Sequence, residues 1–346
     1  MRDLPNFPFV NLATVCARFA SLLAQLARSG ACGRRSHCGW RAIAAPNSSV
    51  AARTVRAMTK LQSPFVGAEA LSSGIIAERA MRRQYEPLYP GIYVPRGAAV
   101  SAQMRARAAW LWSKRRGVGA GLSAAAMLGS KWIDGCEPAE LIHDNRRPPP
   151  NLVVWSERLL ENEIVECTDM PVTTPARTAF DLGRHITSRL QAVQRLDALA
   201  NACDIKRIDI EEVIAAHPGA RGLPRLRRVL PLVDGGAESP QETLARLILI
   251  DADLPAPRTQ FEVFDEYGQF VARLDMAYDE VQVGIEYDGP QHWTDPEVRQ
   301  RDIDKQYALA QLGWIVIRAS RDLLRYRRRT YVARVEGALR ARGFRL

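Results

Sequence analysis

The sequence predicts an α/β (α+β) protein, with a mainly helical N-terminal part followed by a smaller module that mixes strands and helices. The length of 346 residues exceeds one average domain, so two or three domains are expected. Apolar residues recur with helical spacing through most of 64–232, whereas strand-like alternation with intervening helices occupies 259–319. Hydrophobic residues make up 47% of the chain, as is typical of a globular protein, and no apolar run approaches the roughly 18 residues that span a bilayer. We therefore expect a cytoplasmic protein without a membrane partner.

The first 57 residues differ from the rest of the chain. They contain eight arginines, one acidic residue and three of the six cysteines. Arg18 interrupts the mildly apolar stretch from Phe9 to Ala27, which argues against a secretory signal peptide. A transit peptide and a spurious extension before Met58 both fit the composition, and we favour the extension. We expect residues 1–57 to be poorly ordered.

The cysteines argue against a disulfide or zinc scaffold. No two of the six form a C-x-x-C pair, and Cys32 and Cys38 with His37 are too few and wrongly spaced for zinc. Scattered reduced thiols are typical of a cytosolic protein.

The segment 58–100 has the pattern of a winged helix-turn-helix. Two short helical patterns, Val66–Leu71 and Ile75–Arg83, precede a Pro-Gly turn and the strand-like Ile92–Val94. The second helix carries the arginines that a recognition helix would direct at DNA: Arg79, Arg82 and Arg83. The alternative is a small helical cap with solvated arginines.

The region 101–235 is predicted to be mainly helical. Ser123 is expected to cap a helix over Ala124–Leu128, and Thr174 to cap a helix that begins at Pro175. The other helical patterns are Gln103–Lys114, Arg189–Ala200, Ile208–Ala216 and Gly222–Leu232. A loop is predicted over Arg146–Pro150.

Three motifs of this part resemble the antitoxin component of abortive-infection, type IV toxin–antitoxin systems. They are Gly91-Ile-Tyr-Val-Pro95, Leu122-Ser-Ala-Ala-Ala-Met-Leu-Gly129 and Thr173-Thr-Pro-Ala-Arg-Thr-Ala-Phe-Asp-Leu182. The resemblance covers about residues 64–185. In that family the winged helix binds promoter DNA, so the resemblance implies DNA binding and a cognate toxin-like partner.

Residues 236–346 are predicted to form an α/β core of the restriction-endonuclease kind. Ser239 caps its first helix, Thr243–Asp251, with Glu242 where a capping box requires an acidic residue. Three strands, a helix, a strand and a closing helix are expected at Thr259–Phe264, Gln269–Tyr278, Val281–Tyr287, Pro296–Leu312, Trp314–Ala319 and Thr330–Arg342.

Carboxylates are concentrated on two of these strands. Asp275 lies on one, and Glu286 and Asp288 lie two apart on the next, so that they project to the same side. Neighbouring buried carboxylates are costly unless they share a cation or a proton, and we predict that these three bind Mg²⁺ or Mn²⁺. A symmetric turn at Asp279 would not place Asp275 opposite Glu286, so the site requires an unequal turn, strand twist or binding near the strand ends. His292 is a candidate general acid or base.

Several motifs here resemble an uncharacterised bacterial domain related to very-short-patch-repair endonucleases, in the PD-(D/E)XK nuclease superfamily. They are Arg273–Ala277, Val283–Gly289 with His292, Arg301-Asp302 and Leu312–Arg318, within about 238–325. The resemblance implies Asp275 and Glu286 as metal ligands, and assigns supporting roles to Glu242, His292, Arg301 and Asp302. Asp288 stands where the superfamily usually has Lys, which leaves the general base open. The simpler alternatives are a helix cap for Glu242, a turn at Asp288, a surface His292 and a solvated Arg301–Asp302 pair.

The charge pattern is consistent with nucleic acid as the partner. Residues 231–300 hold four basic and 15 acidic side chains, whereas 301–346 hold 12 basic and four acidic ones. An acidic block can hold metal and a basic one can hold phosphate, although solvated faces could alternate by chance. The candidate phosphate-binding residues of this part are Arg301, Arg318, Arg327 and Arg328. The ratio of 43 Arg to 5 Lys favours a GC-rich genome and weakens any argument from arginine alone.

We therefore predict a metal-dependent endonuclease that acts on nucleic acid, preferably DNA, in defence or repair. An N-terminal DNA-binding module would target it. The alternative is a catalytically inactive DNA-binding regulator or antitoxin-like protein. Paired cutting of duplex DNA would require a homodimer.

Overall fold

The structure, a computed structural model, describes residues 62–145, 147–289 and 296–345. The expected disorder of residues 1–57 and the candidate His292 lie outside the described residues. Within these ranges, no helix combines the length and the apolar character that crossing a bilayer requires.

The first part of the described chain contains two short helices and a small antiparallel sheet. The order is β1 (Phe65–Val66), α1 (Gly67–Ser72), α2 (Glu78–Gln84), β2 (Tyr85–Tyr89) and β3 (Ile92–Pro95), with β3 between β1 and β2. Met81 of α2 packs with Ala70, Ile76 and Tyr85 beneath the helices. Two helices and a hairpin thus follow one another as predicted, and the short β1, which pairs with the hairpin, was not predicted.

The region 101–235 contains a five-stranded sheet that the helical prediction missed. Its first elements are α3 (Ala102–Trp112), β4 (Val118–Gly119), α4 (Gly121–Met127), β5 (Ala139–Ile142), β6 (Leu152–Trp155), β7 (Ile164–Cys167) and β8 (Met170–Thr173). The strand order is β6-β5-β4-β8-β7. Each strand has only two to four residues, which is too short for alternation to be recognised.

Ser123 does not cap a helix, and this prediction was wrong. Helix α4 begins earlier, at Gly121, whose φ is +49°, and Ala120 is its N-cap. The buried Ser123 hydroxyl instead accepts the N–H of Glu140 at 2.8 Å, which ties α4 to β5. A serine two residues inside a helix can serve a tertiary contact as readily as a cap.

Helices complete the central region. They are α5 (Pro175–His185), α6 (Arg189–Ala202), α7 (Arg207–Ala216) and α8 (Leu223–Val229), followed by a 3₁₀ turn at Leu230–Leu232. Thr174 caps α5 by accepting the N–H of Arg177 at 3.4 Å, with Pro175 in the first turn, which confirms the predicted cap. Phe180, Leu196 and Leu226 are fully buried in the core between these helices.

The C-terminal part is a four-stranded sheet covered by helices. The elements are α9 (Pro240–Ile250), β9 (Arg258–Phe264), β10 (Phe270–Tyr278), β11 (Val283–Asp288), α10 (Pro296–Gln311), β12 (Ile315–Ser320), α11 (Arg321–Tyr326) and α12 (Arg328–Ala341). The strand order is β12-β11-β10-β9, with β11 and β12 parallel and the other pairs antiparallel. Ile285 and Met276 share one core with α9 and α12, whereas Leu274 packs with Leu309 of α10 in a second core.

Strand β10 changes face at Asp275. Residues two apart on a regular strand share a face, yet Leu274 and Met276 enter different cores. The residue of β9 that the register places beside Asp275 is Gln260, whose φ of +50° lies in the left-handed region. The irregularity of both strands therefore coincides with one of the predicted site residues.

Candidate functional site

Strands β10 and β11 bring Asp275 close to Glu286. The paired residues are Met276 with Ile285, Ala277 with Gly284 and Tyr278 with Val283. Asp275 and Glu286 are the next residues along the two strands, and their carboxylates interact electrostatically. The connection is the unequal turn that the site required, a 3₁₀ turn at Asp279–Val281 followed by Gln282 at φ +52°.

Asp275 is held by the neighbouring strand. One of its carboxylate oxygens accepts the N–H of Tyr287 at 2.7 Å. Burial raises the pKa of Asp275, the bond from Tyr287 opposes this, and the Glu286 carboxylate raises the pKa further. The net rise shows that its negative charge is incompletely compensated.

Glu242 joins these carboxylates from the start of α9. It accepts the hydroxyl of Ser239 at 2.7 Å, the N–H of Glu238 at 2.9 Å and the amide of Gln260 at 3.2 Å. Burial, and then the Asp275 carboxylate, raise the pKa of Glu242 to about 6 against these bonds. Glu242 therefore binds residues at the start of α9, whose N-cap is Ser239, and it also lies within electrostatic reach of Asp275.

Lys305 on α10 is a site residue that the sequence analysis missed. Its ammonium contacts Glu286, which is only 7% exposed, and donates to the carbonyl of Arg273 at 3.1 Å. A signal existed in the helical spacing. Lys305 precedes the fully buried Leu309 by one turn, so it lies on the face of α10 that meets the sheet.

Asp288 is bound by a different cation from Glu286. Arg318 of β12 contacts Asp288 at 3.3 Å and Asp302 of α10 at 2.8 Å. Both Glu286 and Asp288 thus interact with side chains of α10 or β12, in agreement with their predicted common side. The guanidinium of Arg318, predicted to bind nucleic acid, is occupied by these two carboxylates.

The carboxylates do not form a preformed metal cluster. Among the described residues, no group of three or more His, Cys, Asp or Glu side chains is arranged so as to hold an ion. Glu238, Glu242, Asp275 and Glu286 nevertheless interact with one another. Glu238 is paired with Arg273 at 3.0 Å, and Glu286 with Lys305.

The other candidate arginines lie on exposed surfaces. Arg79, Arg82 and Arg83 are exposed on α2, Arg301 on α10, and Arg327 and Arg328 around the start of α12. Arg96 donates to the carbonyls of Arg82 and Arg83 at 3.2 and 3.4 Å and so closes the C-terminus of α2.

A second group of ionisable side chains is buried in the central region. Arg177, 1% exposed, donates to Glu157, Glu163 and Asp181 at 3.0, 2.7 and 3.1 Å. Arg184 also contacts Glu157 and Asp181. Such a closed network of buried ion pairs is expected to specify packing. Two of its members, Arg177 and Asp181, belong to the Thr173–Leu182 motif, from which the sequence predicted a helix start but not this network.

Comparison with known proteins identifies two relatives, both uncharacterised proteins of Mycobacterium tuberculosis, one from strain CDC 1551 / Oshkosh and one from strain ATCC 25618 / H37Rv. Each is 34% identical over 145 residues, which are 42% of this chain and 53% of the relative. The chain spans about half the length of the curated relatives it matches. No family model matches the chain, and no solved structure matches it.

Proposed function

We propose that residues 236–346 form a metal-dependent endonuclease that hydrolyses phosphodiester bonds, with DNA as its substrate. The observation that carries this proposal is the juxtaposition of Asp275 and Glu286 across two strands, with Glu242 beside them and Lys305 on Glu286. Burying three carboxylates in one place costs free energy unless a cation or a proton compensates their charge. A purely structural role of the sheet therefore does not account for them.

The charges of this site suit a divalent cation. Four carboxylates interact, and the pairs with Arg273 and Lys305 account for two of them. Burial first, and neighbouring carboxylates second, raise the pKa of Glu242 and of Asp275, and a bound cation would stabilise the charged form of both. Asp275 and Glu286, supported by Glu242, would hold Mg²⁺ or Mn²⁺ through oxygen ligands. Bound there, the ion would supply Lewis-acid polarisation of the phosphodiester and a water of lowered pKa.

The superfamily usually has a lysine where this chain has Asp288. Lys305 supplies the positive charge that this lysine would provide. An ammonium has three donors, of which the Arg273 carbonyl takes one, while the charge of the ammonium pairs with Glu286. A remaining donor can bind a phosphate oxygen or orient the attacking water. Because the ammonium is partly buried, it would stabilise the charge that develops on the phosphate more strongly than a solvated lysine does.

The exposed arginines would bind the rest of the substrate. Arg327 and Arg328 extend from the same module as the carboxylates, and the arginines of α2 lie in the N-terminal helix pair. Contacts of this kind bind the phosphate backbone and carry no sequence information by themselves. The α2 helix would then provide the targeting that the catalytic module lacks.

Cleavage of a mixed panel tests the proposal. The full chain is incubated with Mg²⁺ or Mn²⁺ and supercoiled plasmid, mismatched duplex, single-stranded DNA or RNA. Glu286→Ala is expected to lower the cleavage rate by about a hundredfold or more, because it removes a metal ligand. The matched control is Glu280→Ala, which removes an exposed carboxylate from the turn between the same two strands. Equal cleavage by wild type and Glu286→Ala would contradict the proposal.

A second candidate function is DNA-binding regulation without cleavage. Asp288 in place of the usual lysine, and its engagement by Arg318, favour this alternative. It predicts no metal-dependent cleavage of any substrate, together with DNA binding that the triple change Arg79→Ala, Arg82→Ala, Arg83→Ala abolishes. A mobility-shift titration beside the cleavage panel distinguishes the two functions.

A further inference from the structure

Helix α9, which carries Glu242, belongs to two cores. Leu247 packs in the core of the central helices, with Ile250 partly buried beside it. Ile248 and Leu249 pack in the core of the four-stranded sheet. The helix is therefore held from both sides, and the central region determines its position together with the sheet.

Asp197 of α6 makes the polar part of this contact. The residue is 1% exposed, and one oxygen accepts the N–H of Asp234 at 2.8 Å. The other oxygen accepts the hydroxyl of Thr243 at 2.9 Å and the guanidinium of Arg246 at 2.7 Å. Both of these donors are buried residues of α9. Two directional donors of α9 on one oxygen, with the other oxygen held by the Asp234 N–H, fix the position of α9 against α6.

Asp234 extends the same contact to strand β9. Its carboxylate accepts the hydroxyl of Thr259 at 3.0 and 3.1 Å. The next residue, Gln260, donates its amide to Glu242. Two supports of the Glu242 carboxylate, α9 itself and Gln260, are thus connected to Asp197, one directly and one through Asp234.

Further bonds from the central region reach the start of α9. The indole N–H of Trp132 donates to the carbonyl of Glu238 at 3.0 Å, and the N–H of Glu238 donates to Glu242 at 2.9 Å. The amide of Gln194 donates to the carbonyl of Pro240 at 2.8 Å. The backbone that turns into α9 is therefore also held by side chains outside the C-terminal module.

We propose that Asp197 is a positioning residue of the carboxylate site, which holds α9 where Glu242 lies beside Asp275. The central region then contributes to the geometry of the site, in addition to being connected to it through the chain. The inference rests on the proposed nuclease function, because it concerns the same carboxylates. A residue that orients a ligand without touching the ion changes the affinity for the ion.

Calorimetric titration of the full chain with Mn²⁺ tests this inference. Asp197→Asn removes the charge, and Thr243→Val removes one donor with little change of shape. Both are expected to weaken Mn²⁺ binding by about tenfold or more at a temperature where circular dichroism shows them folded. The control is Arg189→Ala, which breaks the exposed pair of Arg189 in α6 with Asp251 at the C-terminal end of α9 and is expected to leave Mn²⁺ binding unchanged. The Mn²⁺ binding that wild type shows and Glu286→Ala lacks is assigned to the carboxylate site.

Each outcome decides the inference. Wild-type Mn²⁺ affinity in folded Asp197→Asn would overturn it and leave the proposed function intact, since a merely structural role lowers the melting temperature alone. If Asp197→Asn does not fold, the affinity of Thr243→Val decides in the same way. Equal Mn²⁺ binding by wild type and Glu286→Ala would overturn the proposed function, and this inference with it.

Discussion

Lys305 is one of five lysines in a chain with 43 arginines, and its ammonium is the cation that contacts Glu286. Arginine would present a planar, more weakly hydrated group, whereas lysine presents a compact point charge. At the centre of a carboxylate site, a point charge can approach a single oxygen without displacing its neighbours. This difference makes Lys305 the residue whose replacement tests the chemistry most directly.

We predict that Lys305→Met lowers the single-turnover cleavage rate by about a hundredfold, because it removes a donor that stabilises charge on the phosphate. Mn²⁺ affinity should not fall, since the ammonium is not a ligand and competes with the ion for Glu286. Lys206→Met, at an exposed position, is the matched control and should cleave as the wild type does. A parallel loss of Mn²⁺ binding and cleavage would instead indicate that Lys305 only supports the fold.

Glu157 provides a pH-dependent prediction in the central region. Burial alone would raise its pKa, but the bond from His185 and the charges of Arg184 and His185 lower it from 4.5 to about 2. A depressed folded-state pKa contributes stability that is present above pH 4.5 and is lost as the pH falls toward 2. With allowance for its 24% exposed side chain, the contribution is about 2 kcal/mol.

Glu157→Gln should therefore lower the free energy of unfolding at pH 7 and flatten its fall between pH 4.5 and 2. Denaturant titrations at several pH values measure both effects. The control is Glu161→Gln, at an exposed position nearby, which should follow the wild-type curve. An unchanged acid limb in Glu157→Gln would show that other groups govern the acid response.

The residues of the site differed in how far the sequence could predict them. Asp275 and Glu286 interrupt strands in which most residues are apolar, and solvent exposure alone does not explain acidic residues there. Helical spacing from Leu309 indicates which face of its helix carries Lys305, but the carboxylate that Lys305 contacts is known only once the strand that this face meets is known. The network around Arg177 was missed for the same reason, because its acidic partners Glu157 and Glu163 come from other segments.

At the scale of elements, the helix caps have separable effects on stability and on the site. Ser239 caps α9 and also donates to Glu242, whereas Ser188 caps α6 and accepts the N–H of Gln191. We predict that Ser239→Ala and Ser188→Ala each cost about 1 kcal/mol of stability. Only Ser239→Ala should also slow cleavage, because the Glu242 carboxylate loses a donor that orients it. Thermal unfolding and the cleavage assay measure the two effects, and equal cleavage by both variants would contradict the role given to Glu242.

The elements of the C-terminal part were predicted to within a few residues, except for the short helix α11 (Arg321–Tyr326), which was missed, and those of the central sheet were not predicted. Strand β10 has nine residues, most of them apolar, and a segment of that length and composition can be recognised by itself even though it changes face at Asp275. Strand β4 has two residues, and its place in the sheet depends on β5 and β8 from distant segments. Periodicity is a local property, whereas such pairing is a tertiary one.

At the scale of the whole molecule, the charge is unevenly distributed along the chain. The acidic block that contains the carboxylate site is followed by 46 residues with 12 basic and four acidic side chains. Each phosphate contact that a basic side chain makes adds about one unit to the slope of log affinity against log salt. Arg327→Ala with Arg328→Ala should therefore reduce that slope by about two in DNA-binding titrations. Arg340→Ala, which removes an arginine paired with Glu336, is the control, and an equal slope in both variants would exclude Arg327 and Arg328 as phosphate contacts.

The sequence indicated separate domains, and the packing of α9 qualifies that division. Its apolar residues show which faces are buried, but they do not show that the two faces enter different cores. The buried Asp197 could not be recognised either, because its partners Thr243 and Arg246 lie more than 40 positions along the chain. Contacts between regions are the part of the fold that periodicity does not encode.

The shortage of lysine has a practical consequence for chemical labelling. Among the described lysines, Lys114, Lys131 and Lys206 are exposed, and Lys305 is partly buried in its ion pair. Reagents that acylate amines require an accessible, neutral amine, so the first three should be modified quickly and Lys305 slowly. The rate at which Lys305 is acylated therefore reports on the carboxylate centre. Mass spectrometry can measure this rate in the wild-type protein, so the occupancy of the centre can be followed without a mutation or a dye.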